Sequence, residues 1–263
     1  MNRIDLKFKD LAKQGKKAFI AFLTAGYPSL SVTEQLILEL GREQADIIEI
    51  GVPFSDPIAD GPVIQEASHA ALKNGVTMEK IFRMVKKLRS RTQVPLCLML
   101  YYNIIFTYGE KRFIDRAFAC GIDGVIIPDL PVEESGGFSK CARARGIHTI
   151  SFISPVSSFK RMENTALSAE GFIYYISLTG VTGPRMKLPA DLAAKVRAVK
   201  RMTGTPVCVG FGVSSPEQVK DIFRFADGVI VGSALIRMIK SCGDRTDLVK
   251  KICSYVSFLR AQE

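Results

Sequence analysis

Residues 47–65 read Ile-Ile-Glu-Ile-Gly-Val-Pro-Phe-Ser-Asp-Pro-Ile-Ala-Asp-Gly-Pro-Val-Ile-Gln. The first residues form a short apolar run, which is typical of a parallel strand buried on both faces, and a loop rich in glycine and proline follows. One carboxylate, Glu49, lies among the isoleucines, and Asp56 and Asp60 follow in the loop. Because a buried carboxylate is unfavourable unless it has a partner or a function, this segment is a candidate active site.

The same pattern of a short apolar run followed by an amphipathic segment repeats along the whole chain. Predicted strands lie at 18–23, 46–50, 95–101, 124–127, 148–153, 172–177, 206–210 and 228–231. Helices are predicted between them, and an extra amphipathic helix at 3–15 precedes the first strand. Strands that alternate with helices without a linker predict one α/β domain over residues 1–263, a (β/α)8 TIM barrel rather than an open sheet.

Size, cysteine usage and histidine content limit the class of protein. The chain has 263 residues, of which 47% are hydrophobic, and its six cysteines form no Cys-x-x-Cys pair. The amino terminus lacks a signal peptide, and no apolar run approaches the roughly 20 residues of a membrane helix. We therefore expect a soluble, cytoplasmic protein with no membrane contact. The two histidines, His69 and His148, stand in no zinc-binding arrangement, so we expect no metal.

The net charge of +10 raises the question of a nucleic-acid partner. Lysines and arginines are spread over many segments and interleaved with acidic residues, and no DNA- or RNA-binding motif is present. Solvated helix faces explain this distribution better, so we expect no nucleic-acid partner. A positive field would still attract anionic substrates.

The three carboxylates of residues 47–65 have different functional and structural readings. Glu49 is predicted to act as a general acid and base whose pKa is raised by apolar surroundings; the alternative is a buried structural carboxylate that a lysine or the backbone satisfies. Asp60 is either a second active-site carboxylate or a turn former before Gly61 and Pro62. Asp56, which precedes a proline, looks more like a turn residue.

Glycine-bearing loops follow the last three predicted strands. They contain Thr-Gly-Val-Thr-Gly at 179–183, Gly210 and Gly212 after the seventh strand, and Gly232 and Ser233 after the eighth. In (β/α)8 barrels this region frequently binds phosphate at a helix amino terminus, although ordinary tight turns would also use glycine. The residues therefore indicate a barrel enzyme that acts on a phosphorylated small molecule and uses carboxylates for proton transfer.

Several motifs together resemble one known family. Residues 51–65, Phe-Leu-Thr-Ala-Gly-Tyr-Pro at 22–28, Pro-Asp-Leu-Pro at 128–131, the 179–183 segment and Val-Gly-Phe-Gly at 209–212 closely resemble the tryptophan synthase α-subunit family, over nearly the whole chain. The resemblance implies a lyase of tryptophan biosynthesis. It would split indole-3-glycerol phosphate into indole and glyceraldehyde 3-phosphate, and indole would pass to a β subunit in an α2β2 heterotetramer. Pyridoxal phosphate is expected in that β partner and no cofactor in this chain.

The resemblance also assigns roles to single residues. The catalytic residues would be Glu49, Asp60 and Tyr174, while Tyr175, its neighbour on the strand, should point the other way. The phosphate would be bound at Gly183, Gly212, Gly232 and Ser233. The indole pocket would be lined by Phe22, Leu98, Ile126 and Phe211. Thr182 would cover Asp60 when the predicted lid, around residues 184–189, closes. The β-subunit interface would include Asp56, Asn103, Asp129 and Pro131.

Two other functions stay open at this point. One is another lyase or isomerase that acts on a sugar phosphate in the same kind of barrel, although such enzymes have no evident need for the 53–57 segment. The other is a mainly regulatory subunit that binds and activates a β partner. An assay of indole release, with and without the β subunit, separates these functions.

Overall fold

Eight parallel strands pair in chain order, and the first also pairs with the last, so that the sheet closes into a barrel. The structure is a computed structural model that describes residues 2–177, 188–210, 212–243 and 246–261. The strands are β1 (Ala18–Thr24), β2 (Ile47–Gly51), β3 (Leu96–Met99), β4 (Gly124–Ile126), β5 (His148–Ile153), β6 (Ile173–Ile176), β7 (Val207–Gly210) and β8 (Gly228–Val231). The predicted (β/α)8 barrel is confirmed.

Helices surround the barrel in the described part of the chain. They are α1 (Arg3–Lys13), α2 (Leu30–Glu43), α3 (Pro62–Lys73), α4 (Met78–Leu88), α5 (Tyr102–Tyr108), α6 (Glu110–Cys120), α7 (Gly136–Ala144), α8 (Phe159–Ser168), α9 (Leu192–Met202), α10 (Pro216–Phe223), α11 (Ser233–Cys242) and α12 (Leu248–Arg260). The sequence analysis did not predict α5, because its aromatic and β-branched residues do not favour a helix. Within the described ranges, none of these helices has the length and apolar character that crossing a membrane requires.

The core has two layers that follow the alternation of side chains along each strand. The inner layer fills the barrel with Ile20, Ile47, Cys97, Ile126, Ile150, Tyr174, Cys208 and Ile230. The outer layer, which includes Ile48, Ile50, Leu96 and Leu98, packs between the strands and the helices. Residues two apart on a strand share a face, so Glu49 points inward with Ile47.

Helix α1 closes the amino-terminal end of the barrel. Its buried residues Ile4, Phe8 and Leu11 pack against the inner layer. Arg3 Nη1 lies 2.8 Å from a carboxylate oxygen of Asp123, which is itself buried just before β4. Apolar contact and this ion pair together fix α1 at this end, whereas active sites of this fold lie at the opposite, carboxyl end of the strands.

Candidate active site

The Glu49 side chain lies inside the barrel, between neighbours on two adjacent strands. It pairs in register with Phe22 of β1 and Cys97 of β3. It is fully buried, and neither carboxylate oxygen meets a hydrogen-bond partner among the described residues. Burial disfavours the charged form and raises the pKa of Glu49 to about 8, so the carboxyl group holds its proton at neutral pH. The lysine or backbone partner of the structural alternative is absent from the described part of the chain.

A pocket lies at the carboxyl ends of the strands. Its walls include Phe22, Asp60, Tyr174, Gly212 and Ser233. Glu49 itself does not line this pocket, but its register partner Phe22 does. The structure thus places Asp60 in the wall of the pocket and Glu49 next to a wall residue, in different surroundings.

Asp60 is held by a tyrosine that the sequence analysis did not single out. The Tyr101 hydroxyl donates a hydrogen bond of 3.1 Å to Asp60 Oδ2 and accepts one of 3.0 Å from the Ala59 amide. The Tyr101 ring stacks on Phe54, with 5.1 Å between the ring centroids. Burial raises the pKa of Asp60, and the hydrogen bond from Tyr101 opposes this effect. Tyr101 therefore positions the loop and helps to keep Asp60 ionised.

Tyr174 enters the pocket from β6. Its side chain belongs to the inner layer, whereas the Tyr175 side chain belongs to the outer layer, so the prediction that the two point in opposite directions is confirmed. A Cβ atom at Gly210 of the adjacent β7 would lie 2.6 Å from the Tyr174 hydroxyl oxygen, so any larger residue there would displace the Tyr174 side chain. Burial raises the pKa of Tyr174, and the nearby charges of Glu49 and Asp60 add to that effect. The phenol thus stays protonated near both carboxylates.

Phe22 forms one wall of the pocket and fills space left by glycines. A Cβ atom at Gly51 would lie 2.4 Å from Cζ of the Phe22 ring, and one at Gly232 would lie 3.4 Å from its Cβ. The ring therefore covers the inward face of β2 directly after Glu49. The predicted position of Phe22 at the pocket agrees with the structure.

The proposed wall residue Leu98 requires a correction. Leu98 is fully buried in the outer layer, and its neighbour Met99 lines the pocket instead. Alternation along β3 gives the reason, since Cys97 points inward and only odd-numbered positions share its face. Ile126 does point into the barrel and pairs with Met99, but it is fully buried and does not line the pocket.

The phosphate-binding candidates lie at the other end of the same pocket. Gly212, Gly232 and Ser233 line it, and Ser233 is the first residue of α11. Gly212 has a φ of 84°, a left-handed conformation that glycine adopts without strain. Amide groups at a helix amino terminus suit an anion. The candidates Gly183, Phe211 and Thr182, and residues 184–187 of the predicted lid, lie outside the described residues.

The residues proposed for a partner interface follow the carboxyl ends of the strands, three of them on loops and Asn103 in α5. Asp56 and Asn103 are exposed, and Asp56 accepts a hydrogen bond from the Ser55 hydroxyl. Asp129 accepts a bond of 2.8 Å from the Tyr102 amide and so joins the segment after β4 to α5. The Pro131 carbonyl accepts from the Ser135 amide at 3.0 Å in the following turn. None of these four lines the pocket that holds Asp60.

Other described residues of the pocket were also missed by the sequence analysis. Ile64 of α3 and Met99 form apolar walls, and Arg237 of α11 brings a positive charge. The spacing of Arg237, four residues after Ser233, is a signal that could have found it, because residues four apart share a helix face. No local signal marks Tyr101, whose contact with Asp60 joins two different loops.

Known proteins resemble this chain over nearly its whole length. A family model described as the tryptophan synthase alpha chain matches residues 8–261. The chain belongs to the tryptophan synthase α-chain family. It is 46% identical to the tryptophan synthase alpha chain of Geotalea daltonii over 261 residues, which are 99% of this chain and 98% of that protein. It is 44% identical to the protein of the same name from Geobacter sulfurreducens, over 99% of this chain and 98% of the relative.

Solved structures of this family have the same fold. Tryptophan synthase subunit alpha from Legionella pneumophila superposes with a TM-score of 0.92 at 37% identity, over 100% of this chain and 98% of that chain. A chain from the tryptophan synthase α2β2 complex of Pyrococcus furiosus gives a TM-score of 0.87 at 39% identity, over 93% of this chain and 98% of that chain. At these sequence identities, the two structures share with this chain the family as well as the barrel fold.

Proposed function

We propose that this tryptophan synthase α chain cleaves indole-3-glycerol phosphate to indole and glyceraldehyde 3-phosphate, and that indole passes to a β subunit. The observation that carries the proposal is a fully buried carboxyl group, Glu49, whose register partner Phe22 lines the same pocket as a second carboxylate, Asp60. Carbon–carbon cleavage of this substrate needs one acid and one anion in these places.

Glu49 supplies the proton that starts the reaction. Because its pKa is about 8, it can donate a proton to C3 of the indole ring at neutral pH. Protonation places positive charge on the ring nitrogen. The Asp60 carboxylate, oriented by Tyr101, stabilises that charge through the ring N–H.

Glu49 then acts as a base. Its carboxylate takes the proton of the hydroxyl on the glycerol carbon bound to C3, and the O–H electron pair forms the carbonyl of the aldehyde product. The bond between that carbon and C3 breaks, and its electrons return to the ring. Indole keeps the donated proton, and Glu49 ends the cycle protonated.

The pocket supports the remaining parts of the proposal. Phe22, Met99 and Ile64 supply apolar walls for the indole ring, and Tyr174 lies near both carboxylates. Gly212, Gly232 and Ser233 hold the phosphate at the amino terminus of α11. No step of this chemistry needs a cofactor in this chain; pyridoxal phosphate belongs to the β partner.

The partner and the compartment are part of the same proposal. A related chain occurs in an α2β2 complex, and the exposed residues Asp56 and Asn103 surround the mouth through which indole would leave. Four cysteines, Cys97, Cys120, Cys208 and Cys242, are buried free thiols, which supports a reducing cytoplasm.

The test is an assay of indole release from indole-3-glycerol phosphate by the purified chain, alone and with a tryptophan synthase β subunit. We expect release in both cases, with faster release in the complex. A chain that stimulates the β subunit but releases no indole in either case would contradict the lyase function and support a regulatory one. Cleavage of other sugar phosphates but not of this substrate would also contradict it.

A further inference from the structure

Arg237 lies on the face of α11 that borders the proposed phosphate site. The helix begins at Ser233, and Arg237 follows one turn later on the same face. Side chains of an α-helix tilt toward its amino terminus, so a long side chain at this position reaches back toward Ser233. The geometry agrees, because Arg237 lines the same pocket as Gly212, Gly232 and Ser233.

One nitrogen atom of the Arg237 guanidinium lacks a hydrogen-bond acceptor among the described residues. This atom, Nη1, is buried. Lys240 on the same helix provides a contrast, since its Nζ lies 2.7 Å from a Glu66 carboxylate oxygen. A buried donor without an acceptor is unfavourable, and for a charged donor the cost is larger. An anion in the pocket would remove that cost.

The charged side chains that line the pocket have opposite signs and belong to different elements of the fold. Asp60 and Arg237 are the charged side chains among the described lining residues, and one is negative and the other positive. Arg237 belongs to the helix whose amino terminus carries the glycine and serine amides, whereas Asp60 belongs to the loop after β2. A substrate with an N–H group at one end and a phosphate at the other matches this arrangement in only one orientation.

We propose that Arg237 is the residue that pairs with the substrate's phosphate and makes the site specific for phosphorylated ligands. The amides and the Ser233 hydroxyl supply partial charges, while Arg237 supplies a full charge and planar donors that fit phosphate oxygens. The identity of the substrate rests on the proposed function. The preference for a phosphate group follows from the pocket alone.

Binding of phosphate-bearing probes tests this role directly. Calorimetric titration of the full chain with glycerol 3-phosphate and with inorganic phosphate should show that Arg237→Met weakens both by about 10- to 100-fold, the range expected for one lost hydrogen-bonded charge. Arg237→Lys should recover most of the affinity, because it restores the charge. Binding of indole, which has no phosphate, should stay unchanged in both variants.

Lys240→Met is the matched control, since it removes one positive charge from the same helix outside the pocket. It should bind both probes like the unaltered chain. Equal weakening by Arg237→Met and Lys240→Met would show a general effect of net charge and would overturn the proposal. Unchanged binding in Arg237→Met, or no binding of either probe by the unaltered chain, would overturn it as well.

Thermal unfolding separates loss of a contact from loss of the fold. Without phosphate, Arg237→Met should unfold at the same temperature as the unaltered chain or a higher one, because it removes a buried donor that lacks an acceptor. Added phosphate should raise the unfolding temperature of the unaltered chain and leave that of Arg237→Met nearly unchanged. A large drop without phosphate, together with an equal rise on adding it, would assign Arg237 a structural role instead.

Steady-state kinetics distinguish this inference from the proposed function. With indole-3-glycerol phosphate, Arg237→Met should raise KM by about the factor lost in probe binding and change kcat much less, because phosphate contacts are made in the ground state as well. A lowered kcat with an unchanged KM would overturn the assignment. If the unaltered chain binds glycerol 3-phosphate through Arg237 but releases no indole, the proposed function fails while the phosphate role stands.

Discussion

Glu49 and Asp60 both lie close to Tyr174, but the chain holds them in different ways. Glu49 is on a strand, fully buried, and meets no hydrogen-bond partner among the described residues. Asp60 is on a loop, partly exposed, and receives a hydrogen bond from Tyr101. Burial raises the pKa of both groups, but only Asp60 receives a hydrogen bond, from Tyr101, that opposes this effect. Two chemically similar side chains are thus placed in different surroundings, and only one of them has a hydrogen-bond donor that favours its charged form.

Removal of the proton from Glu49 should have the largest effect. We expect Glu49→Gln to lower turnover of indole-3-glycerol phosphate by about 10³-fold or more, because the amide keeps the shape but cannot transfer a proton. Indole release by the isolated chain measures it. Glu66→Gln, the same substitution at an exposed carboxylate of α3, should leave turnover unchanged. A turnover of Glu49→Gln close to that of the unaltered chain would remove Glu49 from the mechanism.

Removal of the charge from Asp60 should have the next largest effect. Asp60→Asn should lower kcat/KM by about 10²- to 10³-fold, because the positive charge on the indole nitrogen would lose its counter-charge. Asp56→Asn in the same loop is the control, and the isolated chain should tolerate it. If Asp56→Asn were the more damaging change in the absence of a partner, the roles of these aspartates would have to be exchanged.

The pH dependence of the reaction should report the raised pKa of Glu49. The free chain needs Glu49 protonated, so kcat/KM should decline above pH 8, by about tenfold per pH unit once the group is ionised. Rates measured from pH 6 to pH 10 test this expectation. A profile that stays level through pH 9 would mean that Glu49 is not the acid.

Stability should depend on pH through the same group. The pKa of Glu49 rises from 4.5 to about 8 on folding, so between these values the folded chain keeps a proton that the unfolded chain has lost. The favourable contribution is complete below pH 4.5 and is lost as pH rises through 8. Within this window the free energy of unfolding should fall by roughly 1 kcal/mol per pH unit relative to Glu49→Gln.

Denaturant unfolding of both proteins, measured at several pH values between 5 and 8, gives that difference. Other titrating groups cancel because both chains contain them. A difference that does not change with pH would show that Glu49 ionises in the folded chain as easily as in the unfolded one.

Loss of the Tyr101 hydroxyl should have the smallest effect. Tyr101→Phe keeps the ring on Phe54 but removes the hydrogen bond to Asp60, and we expect kcat/KM to fall by about tenfold. The pKa of Asp60 should rise, because the bond that opposes the effect of burial is lost, so the acid limb of the pH profile should move to higher pH. Tyr108→Phe, which removes a phenol bonded to Glu79 outside the pocket, should change neither.

These residues also show which parts of the structure the sequence could predict. The barrel follows from alternating strands and helices, and Glu49 stands out because a carboxylate within an apolar strand needs a reason. The wall residue was placed at Leu98 instead of Met99, because the inward phase of β3 depends on its pairing with Glu49 through Cys97. Alternation along a strand does not show which of the two sets of side chains faces the inside of the barrel.

Contacts between separate loops could not be predicted in this way. Tyr101 and Asp60 are far apart in sequence and meet only because β2 and β3 are adjacent in the closed barrel. Helix α5 was missed for a related reason, since its residues favour strands and are held as a helix by contacts of the folded chain. Arg237 was within reach, because it follows the predicted phosphate-binding residue Ser233 by four positions, which is about one helical turn.

Helix α1 has a consequence for the origin of the protons. Ile4 and Phe8 are buried and pack with the inner layer at the lower end of the barrel, and Glu49 above them is itself fully buried. In the proposed reaction the acid regains its proton from the substrate's own hydroxyl group. A buried Glu49 is therefore compatible with repeated turnover. The hydroxyl proton of each substrate molecule returns Glu49 to the protonated form that the next molecule requires.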